Sequence, residues 1–112
     1  MELIVHLCPP RAWEQAKTEK EYRGDTLDSE GFIHCSKPGQ VLKVANAFFR
    51  DDAELIMLWI DPQQLKAELR WEGADGDVFP HIYGPINLDA VFAQTYLTAD
   101  PDSVFRNFDL PE

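Results

Sequence analysis

An unbroken apolar run, ELIMLWI at 54–60, constrains the fold more than any other segment of the chain. Every residue after Glu54 in this run is apolar, and its length is that of a strand. A strand that is apolar on both faces must be covered on both faces. Asp61, Pro62 and Gln64 then resemble the start of a short helical turn, which ends the strand. We therefore predict a central, doubly covered strand over 54–60.

The remaining pattern alternates between strand-like and helix-like segments. Helices are predicted at 11–18 and 38–49, and further strands at 2–7, 31–35, 68–72, 77–84 and 90–97. The polar, turn-rich segment 19–30 is predicted as the longest loop, and loop 73–77 joins two of the strands.

The length of 112 residues suits a single domain spanning 1–112. Its core is expected at about 2–97, followed by an acidic surface tail at 98–112. The predicted fold class is α+β, with a split or bent, mainly antiparallel β-sheet and two to three helices.

Charge and composition exclude several classes of partner. The net charge is −10, from 20 acidic and 10 basic residues, which opposes nucleic-acid binding. The first residues, MELIVHLC, are too short and too charged for a signal peptide, and no apolar run has membrane-spanning length. The two cysteines do not form a secreted disulfide framework. We expect a cytoplasmic protein with a small-molecule ligand, no nucleic acid and no membrane, and the sequence leaves its oligomeric state open.

Each of the three histidines lies in a strand-like run, and each shares a strand face with a polar neighbour two residues away. A strand with one apolar face and one imidazole-bearing face is typical of a sheet that packs a core on one side and lines a cleft on the other. We therefore predict a shared pocket built from these pairs: His6 with Cys8, His34 with Ser36, and His81 with Tyr83.

Other interpretations of the same residues stay open. Each histidine alone is most often a satisfied core or surface residue, Ser36 also suits a helix cap, and Glu72 suits a solvated strand end. Three histidines near Cys8 also suit zinc, but no CxxC, HxxxH or HExxH spacing is present, so we expect no metal. Cys35 would need a base to act as a nucleophile, but the adjacent His34 points to the opposite face of the strand. Cys8 lies on the same face as His6, but a buried, unreactive thiol is the commoner role of such a residue.

Five segments together resemble the family known as domain of unknown function 952, over about residues 3–97. They are IVHL, GFIHCS followed by GQ, LWID, LRWE and FPHIYGPI. That family is similar in layout to the ADP-ribosyltransferase superfamily, which holds NAD in a split β-sheet. The resemblance implies an ADP-ribosyltransferase-like fold and a nucleotide site for NAD or an ADP-ribose-like ligand.

The same resemblance implies roles for individual residues. It implies ligand-binding roles for His6 on the first strand, Ser36 and Tyr83, and catalytic roles for His34, His81 and Glu72. His81 stands where the superfamily has a glutamate, which is a departure, because a carboxylate stabilises the positive charge that develops on ribose and an imidazolium opposes it. Glu72 is the nearest replacement carboxylate. The implied function is an NAD-dependent transferase or glycohydrolase, with a non-enzymatic binding module and a three-histidine metal site as alternatives.

Overall fold

The computed structural model describes residues 3–74 and 76–111. Within them the helices are α1 (Pro10–Glu19), α2 (Thr26–Glu30) and α3 (Val41–Phe48), and single 3-10 turns lie at Pro38–Gln40, Pro62–Gln64 and Leu88–Ala90. The strands are β1 (Ile4–Cys8), β2 (Glu21–Tyr22), β3 (Ile33–His34), β4 (Glu54–Ile60), β5 (Glu68–Ala74), β6 (Asp77–Tyr83), β7 (Ile86–Asn87) and β8 (Val91–Thr98).

The apolar run forms the middle strand of the first sheet, as predicted. β4 lies between β1 and β8, and both pairings are antiparallel. Leu55–Ile60 is buried along its whole length. The strand ends as expected at Asp61, whose side chain accepts a hydrogen bond from the amide of Gln63 at 2.9 Å. An apolar strand of this kind is stable because apolar groups cover both of its faces.

A second antiparallel sheet has the order β3-β6-β5, and β2 pairs with β7 in a two-stranded ribbon. β3 pairs with β6 only at Ile33 and His34, after which the chain turns toward β1. There Val5 and Ser36 exchange two backbone hydrogen bonds of 2.8 Å. This bridge links the two three-stranded sheets.

The apolar interior divides into two clusters, one on each face of the first sheet. One cluster joins that sheet to α1 and the second sheet, and it includes Leu58, Trp13 and Ile82. The other contains Met57 and Val41 of α3. The predicted α+β class with mostly antiparallel sheets and about three helices is confirmed by this arrangement.

The prediction of a loop over 19–30 was wrong, because β2 and α2 form within it. β2 has two residues and is held by its antiparallel partner β7. α2 has five residues and is followed by Gly31, which caps it with a left-handed φ of 91°. Such short elements depend on tertiary pairing and a favourable end residue rather than on periodicity, so the sequence pattern does not reveal them. The predicted helix 38–49 also begins as a 3-10 turn.

The segment after β8, predicted as a surface tail, carries a core residue. Phe105 is 1% exposed and packs in the same cluster as Met57. The Asn46 side chain of α3 accepts a hydrogen bond from the Phe105 amide and donates one to its carbonyl, each at 2.8 Å. The segment is therefore fastened to α3 at this residue.

Some predicted positions lie outside the described residues. These are Glu2 at the start of the first predicted strand, Asp75 in loop 73–77, and the terminal residues Met1 and Glu112. Among residues 3–74 and 76–111, no helix combines the length and the apolar character that crossing a bilayer requires.

Candidate functional site

The outer face of the β3-β6-β5 sheet gathers most of the predicted site residues. His34 and Arg70 both lie directly opposite His81 in the strand register, and Tyr83 lies opposite Glu68. Side chains alternate along strands, so these residues share one face. The opposite face turns Ile33 and other apolar residues toward the first core cluster. This outer face carries the polar and aromatic group that we call the outer-face cluster: Phe32, His34, Arg70, Glu72, His81 and Tyr83.

A single carboxylate oxygen organises the centre of the outer-face cluster. Glu72 Oε1 lies 2.8 Å from His81 Nδ1 and accepts a hydrogen bond from the Tyr83 hydroxyl at 2.5 Å. The bond from Tyr83, followed by that from His81, lowers the pKa of the Glu72 carboxyl, and the same carboxylate raises the pKa of the Tyr83 phenol. Glu72 is therefore an anion at neutral pH that holds two donors in fixed directions.

The imidazole of His81 is oriented by this contact. A carboxylate only accepts hydrogen bonds, so Nδ1 of His81 carries the proton of this bond. The ring is 7% exposed, because the Phe32 ring stacks on it with centroids 4.3 Å apart. The His34 ring meets it edge-on at 5.2 Å.

Aromatic and charged neighbours complete the outer-face cluster. Phe32 also packs against the rings of His34 and Tyr83, with centroid-to-centroid distances of 4.7 Å and 5.2 Å. The guanidinium carbon of Arg70 lies 4.2 Å from the centre of the Tyr83 ring. Cation–π contact of this kind holds both side chains and leaves the phenol hydroxyl free to donate to the Glu72 carboxylate. The result is a group of rings, inclined to one another by 25–70°, beside an anion.

His34 and Arg70 each have a carboxylate partner at the edge of this group of rings. Nε2 of His34 lies 3.1 Å from Glu30 Oε1, and the Arg70 guanidinium donates to both carboxylate oxygens of Glu68 at 3.0 and 3.1 Å. The His34 side chain is about half exposed, in contrast to His81. His34 is therefore the imidazole of the outer-face cluster that faces solvent.

His6 lies on β1, and both of its ring nitrogens are engaged. Nδ1 lies 2.6 Å from the carbonyl oxygen of His34 and must donate, so Nε2 accepts from the Tyr22 hydroxyl at 2.7 Å. Burial lowers the His6 pKa to about 4, which keeps the ring neutral. The structure thus places His6 behind the outer-face cluster, holding the backbone of β3, while its expected companion Cys8 lies in the core.

Ser36 and the two cysteines also lie in the interior. Ser36 is buried and contributes backbone bonds to the bridge with Val5, because β3 leaves its sheet after His34. Burial raises the pKa of the Cys8 thiol to about 12 and also raises that of Cys35, so neither is a ready nucleophile. Across the described parts of the chain, no group of three or more His, Cys, Asp or Glu side chains converges to hold a metal ion.

Two members of the outer-face cluster were not among the predicted residues. Phe32 stands two positions before His34, and Arg70 two before Glu72, so the two-residue strand period assigns both to the site face. Applying that rule to LRWE and to the start of GFIHCS identifies them. A lone apolar residue or a lone arginine on a strand carries no other functional signal.

The chain resembles one family model and a set of solved structures. Residues 7–94 match the family described as Protein of unknown function (DUF952). The crystal structure of CC0527 from Caulobacter crescentus is 32% identical, with a TM-score of 0.83 and 93% of each chain covered. The solution NMR structure of CC0527 is 33% identical, with a TM-score of 0.77, and the match covers 93% of this chain and 91% of that one.

A double mutant of CC0527 agrees equally well, at 31% identity and a TM-score of 0.83 over 93% of each chain. A search of curated proteins finds no match. The family model spans β3, β5 and β6, the strands that carry the outer-face cluster. On this match over residues 7–94, the chain belongs to the DUF952 family of proteins of unknown function.

Proposed function

We propose that the outer-face cluster binds a small nucleotide-like molecule of the NAD or ADP-ribose class. The observation that carries the proposal is the Glu72 carboxylate, which is held by His81 and Tyr83 beside the Phe32 ring. Aromatic side chains with a few oriented polar groups are the usual walls of small-molecule sites. The proposal includes the ADP-ribosyltransferase-like layout that the sequence resembles, with which a split antiparallel sheet is compatible.

Glu72 supplies the charge that a reaction at ribose needs. Cleavage of a glycosidic bond between ribose and nicotinamide builds positive charge on the sugar, and a nearby carboxylate lowers the free energy of that transition state. His81 occupies the sequence position expected for this acid, and Glu72 Oε1 lies 2.8 Å from its ring. The carboxylate is thus supplied by the adjacent strand, β5, and His81 orients it.

The remaining residues act in two ways in this proposal, some by facing the ligand and others by holding the backbone of the site. Tyr83 and Phe32 offer ring surface to the ligand, and His34 offers a solvent-facing imidazole. His6 acts indirectly by holding the His34 carbonyl, and Ser36 acts through its backbone bridge to β1. Both are positioning residues.

A second candidate, a binding module without catalysis, is favoured by one observation. The Glu72 carboxylate already accepts two hydrogen bonds, and the His81 ring beneath Phe32 is only 7% exposed. A carboxylate engaged by two donors stabilises a developing cation less than one that is unengaged, because the donors withdraw part of its charge. Binding would then persist while bond cleavage is slow or absent.

Titration of the purified protein with NAD and ADP-ribose, together with an assay for nicotinamide release, separates these candidates. We expect both ligands to bind the natural protein. If it is an enzyme, Glu72→Gln should lower nicotinamide release by about 100-fold with only a small change in binding. If it is a binding module, release is absent in both proteins. Absence of binding by either ligand at about millimolar concentration would refute the proposal.

The matched control is Asp51→Asn, which makes the same charge change at an exposed position outside the outer-face cluster. A spectroscopic readout reports directly on the hydrogen bond to Tyr83. Because Glu72 raises the pKa of that phenol, Glu72→Gln should move its ionisation to lower pH, and Asp51→Asn should not. This readout shows that the variant has changed the intended contact.

A further inference from the structure

We propose that the groove next to Tyr83, between Lys20 and Lys66, binds a phosphate or diphosphate group of the ligand. This inference rests on the function proposed above and names a charged part of that ligand. The groove has a volume of about 490 Å³ and is lined by residues of three stretches of the chain, among them Lys20, Lys66, Tyr83, Gly84 and Asn87. Two lysines among the lining residues of one groove favour an anion there, in a protein whose net charge is −10.

The floor of the groove is built by close packing. A Cβ placed on Gly84 would lie 2.8 Å from the Cβ of Ala67, so only glycine permits this approach. The Asn87 side chain accepts a hydrogen bond from the Lys66 amide at 3.0 Å and donates one to the Gln64 carbonyl at 2.8 Å. These contacts fix the backbone at Lys66, from which its ammonium extends.

Lys20 has a conformation that its residue type disfavours. It follows α1 with φ 67° and ψ 17°, in the left-handed region where helices commonly end on glycine or asparagine. A side chain at such a position costs stability relative to glycine, and strained residues of this kind concentrate at functional sites. A lysine at this position therefore lowers the stability of the folded protein relative to glycine, and it adds a positive charge to the groove lining.

Tyr83 connects the groove to the Glu72 carboxylate. Its ring lines the groove, its hydroxyl donates to Glu72 at 2.5 Å, and Arg70 lies over the same ring. A molecule that places its ribose at Glu72 can therefore extend its phosphates past Tyr83 toward the lysines. Glu21 on the groove wall opposes an anion, and its charge is offset only in part, because the Arg23 guanidinium 3.6 Å from it also binds Asp28 at 2.7 Å.

The test uses three probes and three variants of the full chain. The probes are inorganic pyrophosphate, which reports on the groove alone, ADP-ribose, which spans both parts, and the uncharged nucleoside adenosine. The variants are Lys20→Gly, Lys66→Ala and the control Lys17→Ala, which removes an exposed charge outside the groove that pairs with Glu14 on α1. Each protein is titrated with each probe, and its thermal midpoint is measured without ligand.

We expect Lys20→Gly and Lys66→Ala each to weaken pyrophosphate and ADP-ribose binding by about five- to tenfold, and to leave adenosine binding unchanged. Lys20→Gly should also raise the thermal midpoint, because glycine adopts the left-handed conformation without strain. Lower affinity in a more stable variant separates a binding role from a structural one.

The results that overturn the inference differ from those that overturn the function. If ADP-ribose binds all four proteins equally, the groove does not hold its phosphates, although the outer-face cluster still binds nucleotide. If Lys17→Ala weakens pyrophosphate binding as much as the groove variants do, the loss of affinity reflects the net charge of the protein rather than the groove, and the inference fails. If pyrophosphate binds through the lysines while ADP-ribose does not bind at all, the inference loses its nucleotide ligand and the proposed function fails.

Discussion

Mild acid should destabilise this protein through His6. The folded protein holds this ring neutral, with a pKa lowered from 6.5 to about 4 by burial, whereas the unfolded chain exposes it to water. Below pH 6.5 the unfolded state therefore binds a proton that the folded state excludes. The contribution of His6 to stability is fully present above that pH and declines as the pH falls through 6.5. The loss is complete below about pH 4.

The magnitude follows from the two pKa values. Each unit of pKa difference corresponds to about 1.4 kcal/mol, so the full loss is about 3.5 kcal/mol, of which about 2 kcal/mol falls between pH 7 and pH 5. A domain of this size has a free energy of unfolding of about 5–15 kcal/mol, so the loss is large enough to measure.

Urea unfolding followed by tryptophan fluorescence measures this loss, because Trp13 and Trp59 are buried and report on both core clusters. The variant His6→Gln keeps a polar side chain but removes the titration. Between pH 7 and pH 5 the natural protein should lose about 2 kcal/mol more of its unfolding free energy than His6→Gln does. Equal pH dependence in the natural protein and His6→Gln would refute the reasoning.

Two stability predictions concern packing. Phe105→Ala should lower the free energy of unfolding by about 3–5 kcal/mol in urea titrations, because it empties a buried ring position, whereas Leu110→Ala at a side chain 70% exposed should change it by less than about 0.5 kcal/mol. Equal effects would show that the segment after β8 does not pack on α3. Gly84→Ala should cost about 1–3 kcal/mol through its clash with Ala67, and adding Ala67→Gly should recover part of that loss. Failure of the double variant to recover stability would show that another contact limits position 84.

The elements that were predicted best from the sequence are those with a strong pattern of apolar residues. The run at 54–60 became the buried middle strand, and the strands predicted at 68–72 and 77–84 lie close to the observed β5 and β6. The sequence did not predict β2, whose two residues exist only through pairing with β7, or the burial of Phe105, which depends on Asn46 from α3. Contacts between distant segments have no signature in local periodicity.

For the site, the two-residue period of a strand predicted which residues of one strand share a face. It did not predict which residues of neighbouring strands lie opposite one another. It placed His81 with Tyr83 on one face, but the contact of both with Glu72 depends on the register in which β5 meets β6. The same rule put His6 beside Cys8 facing a cleft, whereas α1 and the second sheet cover that face of β1. One face of a strand is open or covered according to what packs on it, and this is a property of the whole fold.

The bond from His6 to the His34 carbonyl has a consequence for reading mutational data. A change at position 6 releases the backbone of β3, and β3 carries His34 and pairs with the strand that carries His81. A genetic screen would therefore score His6 together with the residues that surround the ligand, although its ring is engaged with Tyr22 and the protein backbone. Loss of function there reports the alignment of one strand, and it identifies no atom of the substrate.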